Sequence, residues 1–406
     1  MNLPTITSVG DVYILNWKDE KVAFKIDRLS EKSEGTTGEI LISYQDKHLY
    51  HARVNLLSPH AKKIVANELA RRINGLDWDI MVEQAFVKTL TEYRRGEPII
   101  QIGNLPRRTT PRYRLKPLIL EGQINAIYAH GGSGKTLLSD LIALCVQCGV
   151  KLLGLEPIKG NVLILDWETS EVSSDERIKA IKKGMDIRDE GIPYYRRCFH
   201  LLTHDIFEVQ KEVLNRDIKL VIVDSAGMAS MAMGSGSDYH IVAIEMLRAL
   251  RSLNLTTLII DHKPKEGNTM FGSVYKFNEC RSAFEIKSIQ EADSNVMDMA
   301  IFHTKFNDTP KCQPIGFHIE FEGNEDITEK ITFTQKDVSS IAELADNIPA
   351  TTRILSLLAS GPQQAESIME ELNLSKTNTY VSIKRLRDKG LIIKLSNNSW
   401  GLSYKE

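Results

Sequence analysis

The chain has 406 residues, a formal net charge of −2 and five cysteines, and 42% of its residues are hydrophobic. This composition is typical of a soluble globular protein of two or three domains. No apolar run approaches the roughly 20 residues of a membrane-spanning helix, and the N-terminus lacks the features of a signal peptide, so we expect a cytoplasmic protein without membrane contact. The near-neutral charge excludes a general attraction to nucleic acid, so any DNA contact must come from local basic patches.

Residues 1–100 predict a small α+β module. Four strand-like runs are separated by turns, and two segments with helical spacing of apolar residues follow them. The strands are predicted at Val12–Trp17, Val22–Ile26, Glu39–Tyr44 and Leu49–Val54, and the helices at Ala61–Ile73 and Trp78–Arg95. The module carries no chemical motif, so its role stays open between docking to a neighbouring subunit and docking to a partner protein.

A basic stretch with several prolines, 101–117, predicts an exposed linker. Over 118–335, short apolar strands alternate with helices, which indicates a parallel sheet with crossover helices. Within this block Cys145 and Cys148 form a C-x-x-C, but they lie in an apolar helical run and no second Cys/His pair has zinc spacing. Buried small side chains are therefore a better interpretation than a metal or redox site.

A glycine-rich loop lies between an apolar strand, Ile124–Ala129, and a helix, Leu137–Cys148. Strand, loop and helix start are the context of a P-loop, although the first glycine of the pattern is Ala129 here. The backbone N–H groups that would surround phosphate oxygens belong to Gly131, Gly132, Ser133 and Gly134. Lys135 would reach the β- and γ-phosphates, and the Thr136 hydroxyl would ligate Mg²⁺. The loop therefore predicts ATP binding with Mg²⁺ rather than an ordinary turn before a helix.

Two further predicted strands end in carboxylates. Val162–Leu165 is followed by Asp166 and Glu168, and Leu220–Val223 is followed by Asp224. Carboxylates just past strand ends face the ligand crevice of an open α/β sheet. We predict that Glu168 activates the water that attacks the γ-phosphate, whereas Asp166 suits a helix N-terminus. Asp224 has the Walker B arrangement and would hold Mg²⁺ through a water molecule.

A fourth predicted strand, Leu255–Ile260, is followed by His262. This histidine would sense the γ-phosphate, and the alternative is a hydrogen-bonded histidine at a strand end. The loop Gly227–Asp238 is flexible by composition and has no basic residue, so a plain mobile loop is favoured over a DNA-tracking one. Lys263 and Lys265 are better candidates for DNA contact.

The motifs together resemble those of a known family. The segments A-H-G-G-S-G-K-T (129–136), V-L-I-L-D-W-E-T (162–169), V-I-V-D-S (221–225) and I-I-D-H-K-P-K (259–265) are similar to the RecA-like ATPases grouped with hexameric RepA and DnaB helicases. The match covers about 118–320, including F-G-S-V-Y (271–275) and H-T-K-F-N (303–307). The resemblance implies a homo-oligomeric ring, expected to be a hexamer, or a filament, with ATP between subunits.

The same resemblance implies that a basic residue from one subunit completes its neighbour's site. Lys305 is the first candidate for this trans role and Arg281 the second, and the alternative for both is an ordinary solvated or salt-bridged side chain. The neighbouring Phe306 departs from the family, which usually has a polar residue there.

The final block, 346–406, predicts three amphipathic helices and a hairpin. The helices are Ala350–Leu358, Ala365–Leu372 and Lys376–Lys389, and the strands are Leu391–Leu395 and Ser399–Leu402. This pattern resembles a winged helix-turn-helix, whose third helix would enter the major groove. The side chains expected to contact DNA are Lys376, Asn378, Lys384 and Arg387. Protein contact is the alternative.

The sequence therefore predicts an α/β protein with a RecA-like P-loop core, a small N-terminal α+β module and a C-terminal winged helix-turn-helix. The leading functional hypothesis is an ATP-hydrolysing, DNA-associated ATPase, expected to be a RepA-like hexameric helicase or replication protein with a possible replication partner. One alternative is a non-motor protein that acts as an ATP-dependent switch or as a DNA-binding regulator. The other is a filament-forming relative of the recombinases.

Overall fold

A five-stranded antiparallel sheet covered by two helices forms the N-terminal unit of this computed structural model, which describes residues 3–10, 12–95, 99–103, 112–230, 239–264, 270, 274–307, 310–324, 327–341, 344 and 348–403. The strands pair in chain order as β1 (Thr5–Val9), β2 (Val12–Trp17), β3 (Val22–Lys32), β4 (Gly35–Tyr44) and β5 (Lys47–Asn55). Helices α1 (Pro59–Arg72) and α2 (Trp78–Arg95) share a core with the sheet, in which Phe24 and Ile40 meet Val65 and Phe86. Ser58 accepts a hydrogen bond from the N–H of Ala61 and so caps α1.

The central unit is built on a nine-stranded sheet in the order β11-β10-β12-β13-β8-β14-β15-β16-β17, with a small three-stranded sheet, β7-β6-β9, beside it. Its strands are β6 (Tyr113–Lys116), β7 (Ile119–Leu120), β8 (Ile124–Ala129), β9 (Glu156–Pro157), β10 (Asn161–Asp166), β11 (Tyr194–Arg197), β12 (Ile218–Asp224), β13 (Thr256–His262), β14 (Ser282–Ile289), β15 (Val296–Phe306), β16 (Ile315–Gly323) and β17 (Thr328–Lys336). Its helices are α3 (Lys135–Cys148), α4 (Glu171–Gly184), α5 (Leu202–Asn215), α6 (Ala226–Ser230), α7 (Tyr239–Ser252) and α8 (Val274–Glu279).

The strands from β11 to β14 in that order run parallel, so the ends of β8, β10, β12 and β13 meet at one edge of the sheet. Helices cover both faces, and the apolar side chains of the sheet divide between two cores. Cys145 and Cys148 lie in the buried helix α3 and pack as small core side chains. Among the described residues, no group of three or more potential metal ligands is arranged to hold an ion.

Two regions of the central unit differ from the sequence-based expectation. Strands β15, β16 and β17 pair antiparallel and follow one another without crossover helices, because the short connections between them permit hairpins. The stretch predicted as an exposed linker, 101–117, contains β6, which pairs with β7 and β9. There Leu115 is fully buried, and the buried Arg114 donates to Glu121 at 2.8 Å, so this part of the stretch belongs to the packed core.

Strand β15 contacts two different parts of the molecule. Met297 and Met299 pack in the core that contains helix α3, and a Cβ added to Gly134 would lie 2.6 Å from the Met299 side chain. Ala300, the residue after Met299, packs instead with Val338 and Ile348, in the segment that leads to the C-terminal unit. Alternate residues of a strand face opposite sides of its sheet, which explains this division.

Three helices and a hairpin form the C-terminal unit, as predicted. They are α9 (Ala350–Ala359), α10 (Ala365–Glu371), α11 (Lys376–Asp388), β18 (Ile392–Lys394) and β19 (Trp400–Leu402). The apolar core joins Ile354, Leu358, Ile368, Ile383 and Leu386, and Leu372 packs against it. Within the described residues, we find no helix with the length and apolar character that spanning a bilayer requires.

Candidate functional site

The glycine-rich loop connects the buried end of β8 to the start of α3. Gly132 and Gly134 have φ values of 74° and 77°, a region that glycine adopts without the steric cost of a Cβ. A Cβ placed on Gly131 or Gly132 would meet no atom within 4 Å, so the space around the first part of the loop is open. The loop therefore presents backbone N–H groups and a helix N-terminus to an unfilled space, which suits an anion.

Lys135, the first residue of α3, folds its side chain back over the loop. Its ammonium donates to the carbonyl oxygens of His130 at 2.8 Å and Ala129 at 3.3 Å. The side chain is 7% exposed, and this burial lowers the pKa of Lys135. Backbone carbonyls are weak partners for a buried cation compared with phosphate oxygens. The ammonium is thus close to the loop and available to a phosphate that enters it.

Thr136 and Asp224 meet although 88 positions separate them in the chain. The threonine hydroxyl donates to Oδ2 of Asp224 at 2.7 Å, where the end of β12 faces the start of α3. Burial raises the pKa of Asp224 to about 7, since a carboxylate loses its hydration in this position. Hydroxyl and carboxylate oxygens are the ligands that Mg²⁺ prefers, and the pair fits the group that the sequence predicts there.

Asp166 and Glu168 have different structural roles at the end of β10. Asp166 accepts hydrogen bonds from the N–H groups of Glu168 at 2.7 Å and Thr169 at 2.9 Å, and from the hydroxyl of Tyr195 at 3.2 Å. It therefore shapes the turn before α4, whose N-cap is Ser170 rather than Asp166. Glu168 is turned toward the loop, and its side chain is 35% exposed.

His262 lies between the phosphate loop and Glu168. Its Nε2 is 3.3 Å from Oε1 of Glu168, and its Nδ1 is 3.5 Å from the ammonium of Lys135. The structure thus brings together Lys135, Thr136, Glu168, Asp224 and His262, the five residues predicted to act on the phosphates, on Mg²⁺ or on the attacking water.

Two residues around the site were missed by sequence reasoning. Ser225 donates its hydroxyl to Glu168, and Lys276 forms a buried ion pair with Asp261 at 2.8 Å. Ser225 belongs to the V-I-V-D-S segment of the family resemblance, but that pattern assigns a role only to Asp224. Lys276 is buried only by the tertiary fold and left no signal in the sequence.

Lys305 and Arg281 have different contacts, although the pairing of Ala283 with Lys305 brings them close in the sheet. Lys305, on β15, donates to the carbonyl oxygen of Phe277 at 2.8 Å and to that of Asn278, so it caps the end of α8. The side chain of Arg281 is exposed just before β14. The trans role of either residue stays a prediction.

The DNA candidates of the core differ in their surroundings. Lys263 is 11% exposed and pairs with Glu285 at 2.6 Å, so contact with DNA would require this ion pair to open. Lys265 lies outside the described residues, as does 231–238, most of the predicted flexible loop.

The four candidates on α11 are all exposed, namely Lys376, Asn378, Lys384 and Arg387. Ser375 accepts from the N–H of Asn378 at 3.3 Å and caps the helix as expected, and Arg387 pairs with the adjacent Asp388 at 3.0 Å. Helix α11 thus presents these polar and basic side chains to solvent, together with the exposed Tyr380 and Val381.

Comparisons with known proteins agree with this geometry. Residues 97–268 match the model of the AAA domain family, and residues 349–394 match the model of the bacterial regulatory protein arsR family. The core is a RecA-like P-loop ATPase domain. The C-terminal unit is a winged helix-turn-helix, so the predicted fold class is confirmed.

The chain is also similar to a solved structure, a KaiC-like protein from the hyperthermophilic archaeon Pyrococcus horikoshii OT3. The TM-score is 0.40 at 11% sequence identity, and the alignment covers 54% of this chain and 93% of that one. No curated protein matches the sequence.

Proposed function

We propose that this chain hydrolyses ATP with Mg²⁺ at the loop 131–136. The observation that carries the proposal is the contact of Thr136 with Asp224 beside the open glycine loop. Mg²⁺, when bound, neutralises charge on the phosphates. The ammonium of Lys135 moves from the loop carbonyls to phosphate oxygens. Thr136 and Asp224 would supply oxygens that hold the ion. Glu168 accepts a proton from the attacking water.

The test is steady-state ATP turnover by the full-length protein and by Lys135→Ala and Glu168→Gln. We expect Glu168→Gln to lower kcat by about 10²–10⁴-fold while nucleotide binding persists, because only proton acceptance is lost. Lys135→Ala should weaken binding as well. Lys179→Ala, on an exposed pair with Asp175 away from the loop, is the matched lysine control. Turnover that survives Lys135→Ala would overturn the proposal.

We further propose that the ATPase works on DNA as a RepA-like hexameric ring, with residues 1–100 as a docking module, 118–335 as the motor and 346–406 as a DNA contact. The presence of a P-loop core and a helix-turn-helix in one chain supports this, as do the exposed basic side chains of α11. Stimulation of ATPase activity by single-stranded DNA and strand separation would follow. A rate of ATP turnover that no nucleic acid changes would exclude the proposal of a DNA-dependent ring.

A trans arrangement of the site can be tested by mixing variants. If Lys305 of one subunit completes the site of another, Lys305→Ala and Lys135→Ala proteins that are each inactive should regain part of their activity when mixed. Arg281→Ala provides the same test for the second candidate. Mixtures that stay inactive, although light scattering shows mixed oligomers, would exclude the trans role.

A second function is favoured by the match of 349–394 to a family of regulatory proteins. In this proposal ATP controls assembly, and the winged helix delivers the protein to a specific duplex site. It predicts slow turnover, sequence-specific duplex binding and no unwinding. Filaments rather than rings in negative-stain images would instead indicate the recombinase-like alternative.

A further inference from the structure

The carboxylate of Glu168 is held through a single oxygen by side chains from two neighbouring strand ends. The hydroxyl of Ser225, directly after β12, donates to Oε1 of Glu168. His262, at the end of β13, places Nε2 3.3 Å from the same Oε1. In the described part of the chain, all hydrogen bonds to this carboxylate go to Oε1, which leaves Oε2 as the oxygen that can take a proton from water.

The tautomer of His262 follows from its two neighbours. A protonated lysine can only donate, so we assign the Nδ1 that faces Lys135 at 3.5 Å as the acceptor. With this assignment the ring hydrogen lies on Nε2, which donates to Glu168. Both contacts to Oε1 are therefore donations from neighbouring groups, and together they hold the carboxylate in one place.

An anchor of this kind matters because Glu168 is otherwise poorly fixed. The terminal torsion of a glutamate is broad, and this side chain is 35% exposed. Ser225, in contrast, is 1% exposed and rigidly placed after Asp224. Its buried hydroxyl has the Glu168 oxygen as its acceptor, so the contact does not have to compete with bulk water.

We propose that Ser225 is a positioning residue for the water-activating carboxylate. By fixing Oε1, it presents Oε2 of Glu168 to the water beside the γ-phosphate. The water proton goes to Oε2, the water oxygen bonds to the γ-phosphorus, and the bond from that phosphorus to the bridging oxygen breaks to give ADP and phosphate. The proton of Ser225 stays on Ser225. This inference rests on the proposed function, in which Glu168 is the base.

The experiment is a double-mutant cycle between Ser225→Ala and Glu168→Gln, read by steady-state and single-turnover ATP hydrolysis with Mg²⁺. Ser225→Ala should lower kcat by about 10-fold to 100-fold, because a displaced reacting group costs rate rather than affinity. The KM for ATP and the binding of a fluorescent ATP analogue should stay unchanged. In the Glu168→Gln background, Ser225→Ala should cause no further loss.

The matched control is Ser230→Ala. Ser230 is also a buried serine close behind β12, but its hydroxyl donates to the carbonyl oxygens of Ala226 and Gly227 rather than to a site residue. The Ser230→Ala protein should keep the wild-type kcat. If Ser225→Ala lowers kcat by the same factor in the wild-type and Glu168→Gln proteins, its effect is purely structural and the inference is overturned. A Ser225→Ala protein with the wild-type kcat would also overturn the inference. If Glu168→Gln itself keeps full turnover, the base assignment fails, and this inference fails with it.

Discussion

The pair of Lys276 and Asp261 offers a quantitative test of how the sheet edge is stabilised. The two groups are 2.8 Å apart, and their side chains are 3% and 0% exposed. At that separation and an effective dielectric constant of about 20, their attraction is about 6 kcal/mol, part of which the loss of hydration offsets. Lys276→Met removes the cation and leaves the carboxylate with the N–H of His262 as its remaining donor in the described residues. We expect the free energy of unfolding to fall by about 3–5 kcal/mol.

The size of this loss should depend on pH. Burial raises the pKa of Asp261, and removal of Lys276 raises it further. Consider an acid whose pKa is higher in the folded state than in the unfolded state. It does not lower the free energy of unfolding while both states are protonated. It lowers that free energy as pH rises through the folded pKa. The loss should therefore be larger at about pH 8 than at about pH 5.

Urea unfolding followed by circular dichroism, without nucleotide, measures the effect of Lys276→Met. Lys179→Met is the control, because Lys179 forms an exposed pair with Asp175 and should leave the unfolding midpoint unchanged. A Lys276→Met protein that unfolds at the wild-type midpoint at both pH values would refute the assignment of a stabilising buried ion pair.

Three further outcomes follow from individual side chains. Lys384→Ala should weaken duplex DNA binding and reduce the salt slope by about 1, as measured by fluorescence anisotropy, and an unchanged slope would count against a phosphate contact. Ile354→Ala, at a fully buried position, should destabilise the C-terminal unit by about 2–5 kcal/mol in thermal unfolding, and wild-type stability would contradict the packing. Burial raises the pKa of Cys145 to about 12, so it should resist thiol reagents until the protein is denatured, and rapid labelling of the native protein would disprove its burial.

The sequence predicted elements best where local pattern and tertiary environment agree. The strand Ile124–Ala129 and the C-terminal helices match closely, because their apolar spacing is the spacing that the core requires. Strand β6 was missed because Arg114 looks exposed in the sequence, whereas the fold buries it against Glu121. The antiparallel strands β15–β17 were missed because strand direction depends on pairing partners, which periodicity does not encode.

The candidate site was predictable in part for a related reason. Lys135, Thr136 and Asp224 belong to strand-end motifs whose spacing reflects the chemistry of phosphate and Mg²⁺ binding. The link from Ser225 to Glu168 joins residues 57 positions apart, and only the parallel register of β10 and β12 brings them together. Such contacts are a property of the sheet rather than of either segment.

Strand β15 packs against two different parts of the protein on its two faces. On one side Met299 supports Gly134 of the nucleotide loop, and on the other Ala300 packs with the segment that carries the winged helix-turn-helix. Met299 and Ala300 are consecutive residues, so any displacement of β15 would move side chains next to the nucleotide loop together with side chains packed on Val338 and Ile348.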